Sequence, residues 1–251
     1  MRICIIGHPR SRSTYLLNVI ADYFKIPEIP HHQIKNVYNV LPVECYHSSQ
    51  WEPIWDPNFP TSIKEEFLIK FNEFQSKIKN KASFIIKVHP SQLAYFPASG
   101  QLIDFDLFGF QQYNQIYFTV RKNHIDAICS YFIANKTDKW HYGRGDKPMS
   151  IEAQPMSNNI AVMIYIWHDL ISQELKKYLD NKNIAWSEIY YEDMTDYVKS
   201  NYPTGLANTI ETGYDYKQLI TNYDELTDTY NILKDKVTAL FYEHNPDLKN
   251  V

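Results

Sequence analysis

The sequence has few arginines, few cysteines and no long apolar run, and each shortage narrows the class of protein. No apolar run reaches the roughly 18 residues that a membrane-spanning helix needs, so no membrane partner is expected. The formal net charge of −4, from 25 basic and 29 acidic residues, gives no sign of a nucleic-acid partner. A strand pattern begins at residue 2, so we expect no signal peptide and a cytoplasmic location.

Cysteine occurs three times, at Cys4, Cys45 and Cys129. These positions share no metal-ligand spacing, and their odd number indicates reduced thiols in a compartment such as the cytoplasm. The nine histidines contain no H-E-x-x-H pattern, and the adjacent His31 and His32 would point apart. The sequence therefore predicts a protein without a metal ion.

Arginine is scarce, but its placement is informative. Five of the 25 basic residues are arginines, and three of them, Arg10, Arg12 and Arg121, lie in two segments predicted below to bind phosphate. A guanidinium group binds phosphate oxygens through two parallel hydrogen bonds, which the point charge of lysine cannot do. The distribution therefore favours a phosphate-containing ligand.

The length of 251 residues and the 44% apolar content fit one domain over 1–251. Short apolar strand patterns alternate with helical patterns, which predicts an α/β fold with a parallel sheet flanked by helices. Residues 27–60 are rich in proline, and residues 136–156 are predicted to form a loop or lid. The predicted strands are 2–7, 83–89, 115–120 and 184–191, and the predicted helices are 14–24, 62–78, 157–180, 224–244 and one carrying Ile125, Ile128 and Phe132.

The segment Gly7–Thr14 joins the first strand to the first helix. A strand that turns tightly into a helix N-terminus directs backbone N–H groups and a partial positive charge to one point, where an anion can bind. Arg10 and Arg12 add two guanidinium groups. An ATP-binding P-loop, G-x-x-x-x-G-K-S/T, would need glycine in place of Arg12 and lysine in place of Ser13. The segment therefore predicts a phosphate site that differs from an ATPase loop.

Residues 9–15, P-R-S-R-S-T-Y, resemble the P-K/R-S-G-T-T-W loop of sulfotransferases that use 3′-phosphoadenosine-5′-phosphosulfate, with Arg12 in place of the usual glycine. The resemblance implies a P-loop nucleotide-hydrolase-like architecture. It also implies that the loop binds the 5′-phosphosulfate and that Arg10 takes part in catalysis. The loop residues concerned are Arg10, Ser11, Arg12, Ser13 and Thr14.

The segment Lys87-Val88-His89-Pro90 resembles the K-T-H-L-P segment of cytosolic sulfotransferases. The resemblance implies that His89 deprotonates the acceptor hydroxyl and that Lys87 stabilises the sulfuryl group during transfer. Side chains two residues apart on a strand share one side of the sheet, so Lys87 and His89 are expected to act together. The alternative is a histidine hydrogen-bonded to a neighbouring loop, beside a solvated lysine.

The segment from Arg121 to Ser130 resembles the R-N-P-R-D-V-A-V-S segment of the same family. The resemblance implies that Arg121 and Ser130 bind the 3′-phosphate. The two residues lie nine apart, whereas eight is usual in the family. Either the turn holds one extra residue or Lys122 takes the role of the arginine, and we favour Arg121.

Tyr190-Tyr191-Glu192-Asp193-Met194 resembles the Y-E-D-M/L segment of the family, which implies that Tyr191 packs on the adenine. Glu192 and Asp193 are expected to organise the loop. The glycine-rich R-K-G-x-x-G loop that usually touches the 3′-phosphate is not recognisable, and residues 213–217 are a candidate replacement.

The expected function is transfer of a sulfuryl group to a hydroxyl or amine of a small-molecule or carbohydrate acceptor. Such a transfer passes through a loose, in-line transition state, so the protein mainly positions the reactants and stabilises charge. Two alternatives are a P-loop nucleotide kinase, which lacks its lysine here, and a catalytically inactive nucleotide-binding module. Five aromatic residues lie in segments that are candidates to border the acceptor pocket, and their rings suit either a sugar or a phenol: Trp51, Trp55, Tyr131, Trp140 and Tyr142. The sequence gives neither the identity of the acceptor nor the oligomeric state.

Overall fold

The computed structural model of the chain describes residues 1–8, 10–25, 84–90, 105–137, 147, 149–156, 159–205, 214–246 and 248. Several features named above lie outside these residues, namely the proline-rich segment 27–60 with Cys45, the predicted helix 62–78, and residues 138–146 and 148 of the predicted loop or lid. Among the residues described, no helix combines the length and the apolar content needed to cross a membrane.

Within the part of the chain that the structure describes, four parallel strands form one sheet in the order β2-β1-β3-β4. A fully parallel sheet is covered by helices on both faces, which explains why its central strands read as continuous apolar runs. The α/β prediction is confirmed. The strands are β1 (Arg2–Gly7), β2 (Phe84–Val88), β3 (Gln115–Val120) and β4 (Ser187–Tyr190).

Helices cover both faces of the sheet, and the alternation of side chains along β1 divides the core between them. Ile3 and Ile5 pack with α1 and α4, whereas Cys4 and Ile6 belong to the larger core formed with α2, α3 and α6. The helices are α1 (Ser13–Tyr23), α2 (His124–Thr137), α3 (Ile160–Asn181), α4 (Met194–Asn201), α5 (Tyr216–Leu219) and α6 (Glu225–His244).

The last strand is shorter than the sequence pattern predicts. Ile184, expected in the strand, lies just after α3 and donates its backbone N–H to the carbonyl of Leu179 in the last turn of that helix. Tyr191, also expected in the strand, begins a 3-10 turn that ends at Asp193. This turn directs the backbone away from the sheet at the point where the Y-E-D segment begins.

One helix boundary and one helix face also differ from expectation. Helix α3 begins at Ile160 rather than at residue 157. The sequence pattern of α6 predicts a buried face made of Leu226, Tyr230, Leu233, Val237 and Leu240, but Leu240 is 43% exposed and the neighbouring Phe241 is fully buried. Phe241, four residues after Val237, continues the apolar stripe of the helix, whereas Leu240, three residues after Val237, lies outside it.

Two cysteines, Cys4 and Cys129, are free and buried. Burial raises the pKa of Cys129 to about 12 and also raises the pKa of Cys4. Both side chains are therefore neutral thiols at physiological pH and act as small core residues.

Candidate functional site

The carboxyl ends of the four strands lie along one edge of the sheet. Ile6 is paired with Val88, Gly7 with Thr119, and Val120 with Tyr190. The loop after Gly7, His89, Arg121 and Tyr191 therefore all start at this edge. Ligands of open parallel sheets bind beyond the carboxyl ends of the strands.

Gly7 allows the start of α1 to approach the end of β1 closely. A Cβ atom at position 7 would lie 2.3 Å from Ser13 Cβ and 3.0 Å from Thr119 Oγ1, so any side chain would displace the loop. Buried Ser11 fixes the loop from within, because its hydroxyl donates to the His8 carbonyl at 2.6 Å and lies 2.7 Å from Thr119 Oγ1. Sequence reasoning missed Thr119, which only the β1–β3 register places beside Gly7.

The backbone of the loop is itself suited to an anion. Arg10 and Arg12 have φ angles of 65° and 61°, in the left-handed region that favours glycine. Arg12 is the N-cap of α1, and the residues that follow it are helical. Such a left-handed residue before helical ones directs successive N–H groups into one concavity that binds anions. The backbone N–H groups of the loop therefore add a partial positive charge to the charges of the two arginines.

Replacing Arg12 by glycine and by alanine separates the role of its side chain from that of its backbone. Both variants lose the guanidinium contacts of Arg12. Only alanine has a Cβ atom, so only the alanine variant retains the steric cost of the positive φ angle at position 12. We expect the glycine variant to be more stable than the alanine variant by about 1 kcal/mol in a denaturant titration. Equal stabilities would show that the left-handed backbone carries no strain.

Lys87 and His89 both contact the loop. Lys87 is buried, in contrast to the solvated lysine of the alternative reading, and its Nζ donates to Thr14 Oγ1 at 2.9 Å. His89 Nδ1 lies 2.6 Å from the carbonyl oxygen of Gly7, so His89 makes the hydrogen bond to a neighbouring loop that the alternative expects. Because a carbonyl oxygen only accepts, Nδ1 carries the proton, and the neutral ring has its lone pair on Nε2. In this tautomer, Nε2 is the atom that can take a proton from a ligand.

Two buried histidines, which the sequence analysis did not single out, lie near His89. The ring of His168 lies 6.3 Å from that of His89 and 6.2 Å from that of His8, measured between centroids. His8 Nε2 also lies 2.9 Å from Ser172 Oγ. Burial lowers the pKa of His168 to about 3. The pKa of His8 is also lowered, mainly by burial and to a smaller extent by the neighbouring His168. Both rings are neutral at physiological pH and place no charge beside His89.

Arg121 is buried at the edge of the sheet, with 8% of its surface exposed. Its Cζ lies 4.1 Å from the ring centroid of Tyr191 and 5.4 Å from that of Tyr216, and an Nη atom lies 3.6 Å from Asp126 Oδ2. Within the part of the chain that the structure describes, Arg121 Nε is buried and has no hydrogen-bond partner. A buried donor of this kind is costly unless it is satisfied, so it indicates a place where a ligand could accept a hydrogen bond.

Arg10 and Arg121 lie along one face of α2. Arg10 Nε donates to Ser130 Oγ at 2.9 Å, and Ser130 is one helical turn after Asp126, the ion-pair partner of Arg121. Arg12 lies in the same region, because its Cζ is 5.4 Å from the ring centroid of Tyr191, the ring that Arg121 also contacts. Three of the five arginines of the chain therefore lie in one small region of the sheet edge.

Lys122 has a different environment from Arg121. Its side chain is 52% exposed, and its Nζ lies 2.8 Å from Asp193 Oδ2. The backbone N–H groups of Lys122 and Asn123 donate to the carboxylate of Glu192. Glu192 and Asp193 thus organise the turn after β3, as expected from the sequence. Arg121 is buried at the sheet edge, whereas the amine of Lys122 is paired with Asp193 at the surface.

The segment 213–217 contributes Tyr216, which is buried against Arg121. Gly213 lies outside the described residues, as do four aromatic residues considered for the acceptor pocket; a fifth, Tyr131, lies on α2. Tyr216 lies in the segment that the sequence analysis names as a candidate, whereas Asp126 was missed as a site residue. A signal for Asp126 was available, since it follows Arg121 by only five residues in the first turn of α2. The four aromatic residues are Trp51, Trp55, Trp140 and Tyr142.

No group of three or more His, Cys, Asp or Glu side chains suited to a metal ion occurs within the described ranges. Comparisons of the chain with protein-family models, with curated proteins and with solved structures give no match.

Proposed function

We propose that this protein is a sulfotransferase that moves a sulfuryl group from 3′-phosphoadenosine-5′-phosphosulfate to a hydroxyl or amine of a small-molecule or carbohydrate acceptor. The observation that supports this proposal most is the gathering of Arg10, Arg12 and Arg121 at the carboxyl edge of the sheet, next to His89 and Lys87. In this proposal the architecture is that of the P-loop-like sulfotransferases, and the protein acts in the cytoplasm.

The two ends of the nucleotide bind at two places along this edge. The 5′-phosphosulfate lies over residues 10–14, where the left-handed backbone at Arg12 and the start of α1 supply N–H donors. The 3′-phosphate lies at Arg121 and Ser130, where the buried Nε of Arg121 supplies a donor. A site with three guanidinium groups suits a ligand that carries anionic groups at both ends better than a ligand that carries a single anionic group.

With a hydroxyl acceptor, the chemistry is a direct transfer between two oxygen atoms. His89 Nε2 takes the proton of the acceptor hydroxyl, the acceptor oxygen forms a bond to sulfur, and the bond between sulfur and the bridging phosphate oxygen breaks. The products are the sulfated acceptor and 3′-phosphoadenosine-5′-phosphate. Lys87, which reaches the loop at Thr14, and Arg10 stabilise the negative charge that develops on the sulfuryl and bridging oxygens.

Thermal denaturation with nucleotides tests the proposal. We expect 3′-phosphoadenosine-5′-phosphate to raise the melting temperature in the presence of a chelator of divalent ions, because the site is built from arginines. At ten times Kd the stabilisation is about 1.4 kcal/mol, or roughly 3–6 °C for a domain of this size. Magnesium-ATP should raise the melting temperature much less. Stabilisation by magnesium-ATP alone would instead favour a P-loop nucleotide kinase.

A further inference from the structure

The ring of Tyr191 contacts two of the three arginines at the sheet edge. Its centroid lies 4.1 Å from Cζ of Arg121 and 5.4 Å from Cζ of Arg12. A guanidinium group within about 6 Å of a tyrosine ring is attracted by the negative face of the ring. One aromatic side chain therefore links a residue of the loop to the residue that follows β3.

The linked residues come from three separate segments. Arg12 is the N-cap of α1, Arg121 follows β3, and Tyr191 begins the turn after β4. Arg12 is held further by Thr195, whose Oγ1 accepts a hydrogen bond at 3.1 Å, and by the ring of Tyr15 at 4.3 Å. Tyr191 thus joins Arg121 to an arginine that is already fixed at the start of α1.

A fixed arginine is useful because this side chain loses much rotamer freedom when it binds a ligand. Contact with the ring of Tyr191 restricts the rotation of the Arg121 guanidinium group. It therefore also restricts the orientation of the Nε–H donor, which is buried and has no partner among the described residues. We propose that Tyr191 is a positioning residue whose ring holds Arg121 at a set distance from Arg12, so that the protein binds nucleotides with a 3′-phosphate selectively. This role rests on the proposed function and goes beyond the adenine packing that the family resemblance implies for Tyr191.

The affinities of two nucleotides distinguish positioning from adenine packing. The ligands are 3′-phosphoadenosine-5′-phosphate and adenosine 5′-monophosphate, which differ only in the 3′-phosphate. We expect Tyr191→Leu to lower the ratio of the two affinities by roughly three- to tenfold, as loss of a partly buried cation–π contact implies. Tyr191→Phe should keep the wild-type ratio, because the ring remains. If Tyr191→Leu fails to fold, Tyr191→Met serves the same purpose.

Tyr190→Leu is the matched control. Tyr190 is the preceding residue, its hydroxyl donates to Glu188, and its ring lies 5.0 Å from Lys122 Nζ. Its loss should leave the affinity ratio unchanged. A double-mutant cycle adds a second readout: in the Tyr191→Leu background, Arg121→Ala should lower the ratio less than it does in the wild-type protein, because Arg121 has already lost its position.

Each outcome decides between the two roles. An equal loss of affinity for both nucleotides in Tyr191→Leu, with the ratio unchanged, overturns the positioning role and leaves the proposed function standing. The same loss of ratio in Tyr191→Phe assigns the effect to the hydroxyl group and also overturns it. A wild-type protein with no preference for the 3′-phosphorylated nucleotide overturns the proposed function itself, and the positioning role with it.

Discussion

Replacing His89 with alanine is expected to lower turnover by roughly 10²–10⁴-fold, the usual contribution of a positioned general base. His89 Nδ1 donates to the Gly7 carbonyl, and this hydrogen bond fixes the ring in the tautomer whose Nε2 is the proposed base. Since His89 is proposed to act on the acceptor proton rather than on the nucleotide, the affinity for 3′-phosphoadenosine-5′-phosphate should remain nearly unchanged. Turnover is measured by transfer of the labelled sulfuryl group to a confirmed acceptor, and the nucleotide affinity is measured by calorimetry.

His89→Asn is the control for a purely structural role. An asparagine amide can donate a hydrogen bond to the Gly7 carbonyl, but it has no basic atom to take the acceptor proton. The asparagine variant should therefore be as slow as the alanine variant. Turnover close to that of the wild type in either variant would remove His89 from the chemical step.

Arg121→Ala is expected to weaken binding of 3′-phosphoadenosine-5′-phosphate by ten- to a hundredfold, or about 1.5–3 kcal/mol, since it removes a charge-assisted contact. The loss must be selective, with little change for adenosine 5′-monophosphate, because Arg121 is proposed to contact the 3′-phosphate alone. Titration calorimetry with the two nucleotides measures this difference. Because Arg121 is buried, the melting temperature of the variant shows whether it folds.

Lys122→Ala is the matched control, because the eight-residue spacing of the family assigns the 3′-phosphate to Lys122. Its amine is paired with Asp193 at the surface, so its removal should affect both nucleotides little. A selective loss in Lys122→Ala, without one in Arg121→Ala, would assign the 3′-phosphate to Lys122. If neither variant shows a selective loss, the account of this half of the site is wrong.

The central strands and the outer helices could be predicted because their patterns are governed by burial. Strands β1 and β3 have the bounds expected from the sequence, and α1 and α6 begin within one residue of expectation. The predicted start of β4 was wrong because residues 184–186 are as apolar as a strand but pack around the end of α3. Helices α4 and α5 were not predicted; they are only eight and four residues long, too short for a clear helical period.

Placement of the site residues at one edge could be predicted because parallel strands bring their carboxyl ends together. Their contacts could not be predicted, because they depend on strand register and on side-chain rotamers. Thr119 is beside Ser11 through the pairing of β1 with β3. The contact of Arg10 with Ser130 joins two residues that the resemblance assigns to opposite ends of the nucleotide.

One nucleotide is proposed to span the sheet edge from the loop to Arg121. A crystal structure of the protein with 3′-phosphoadenosine-5′-phosphate would show this binding mode. We expect the 5′-phosphate over residues 10–14 and the 3′-phosphate within hydrogen-bond distance of Arg121 Nε or its Nη atoms. A nucleotide bound in the opposite direction, or at another place on the protein, would disprove the proposed binding mode.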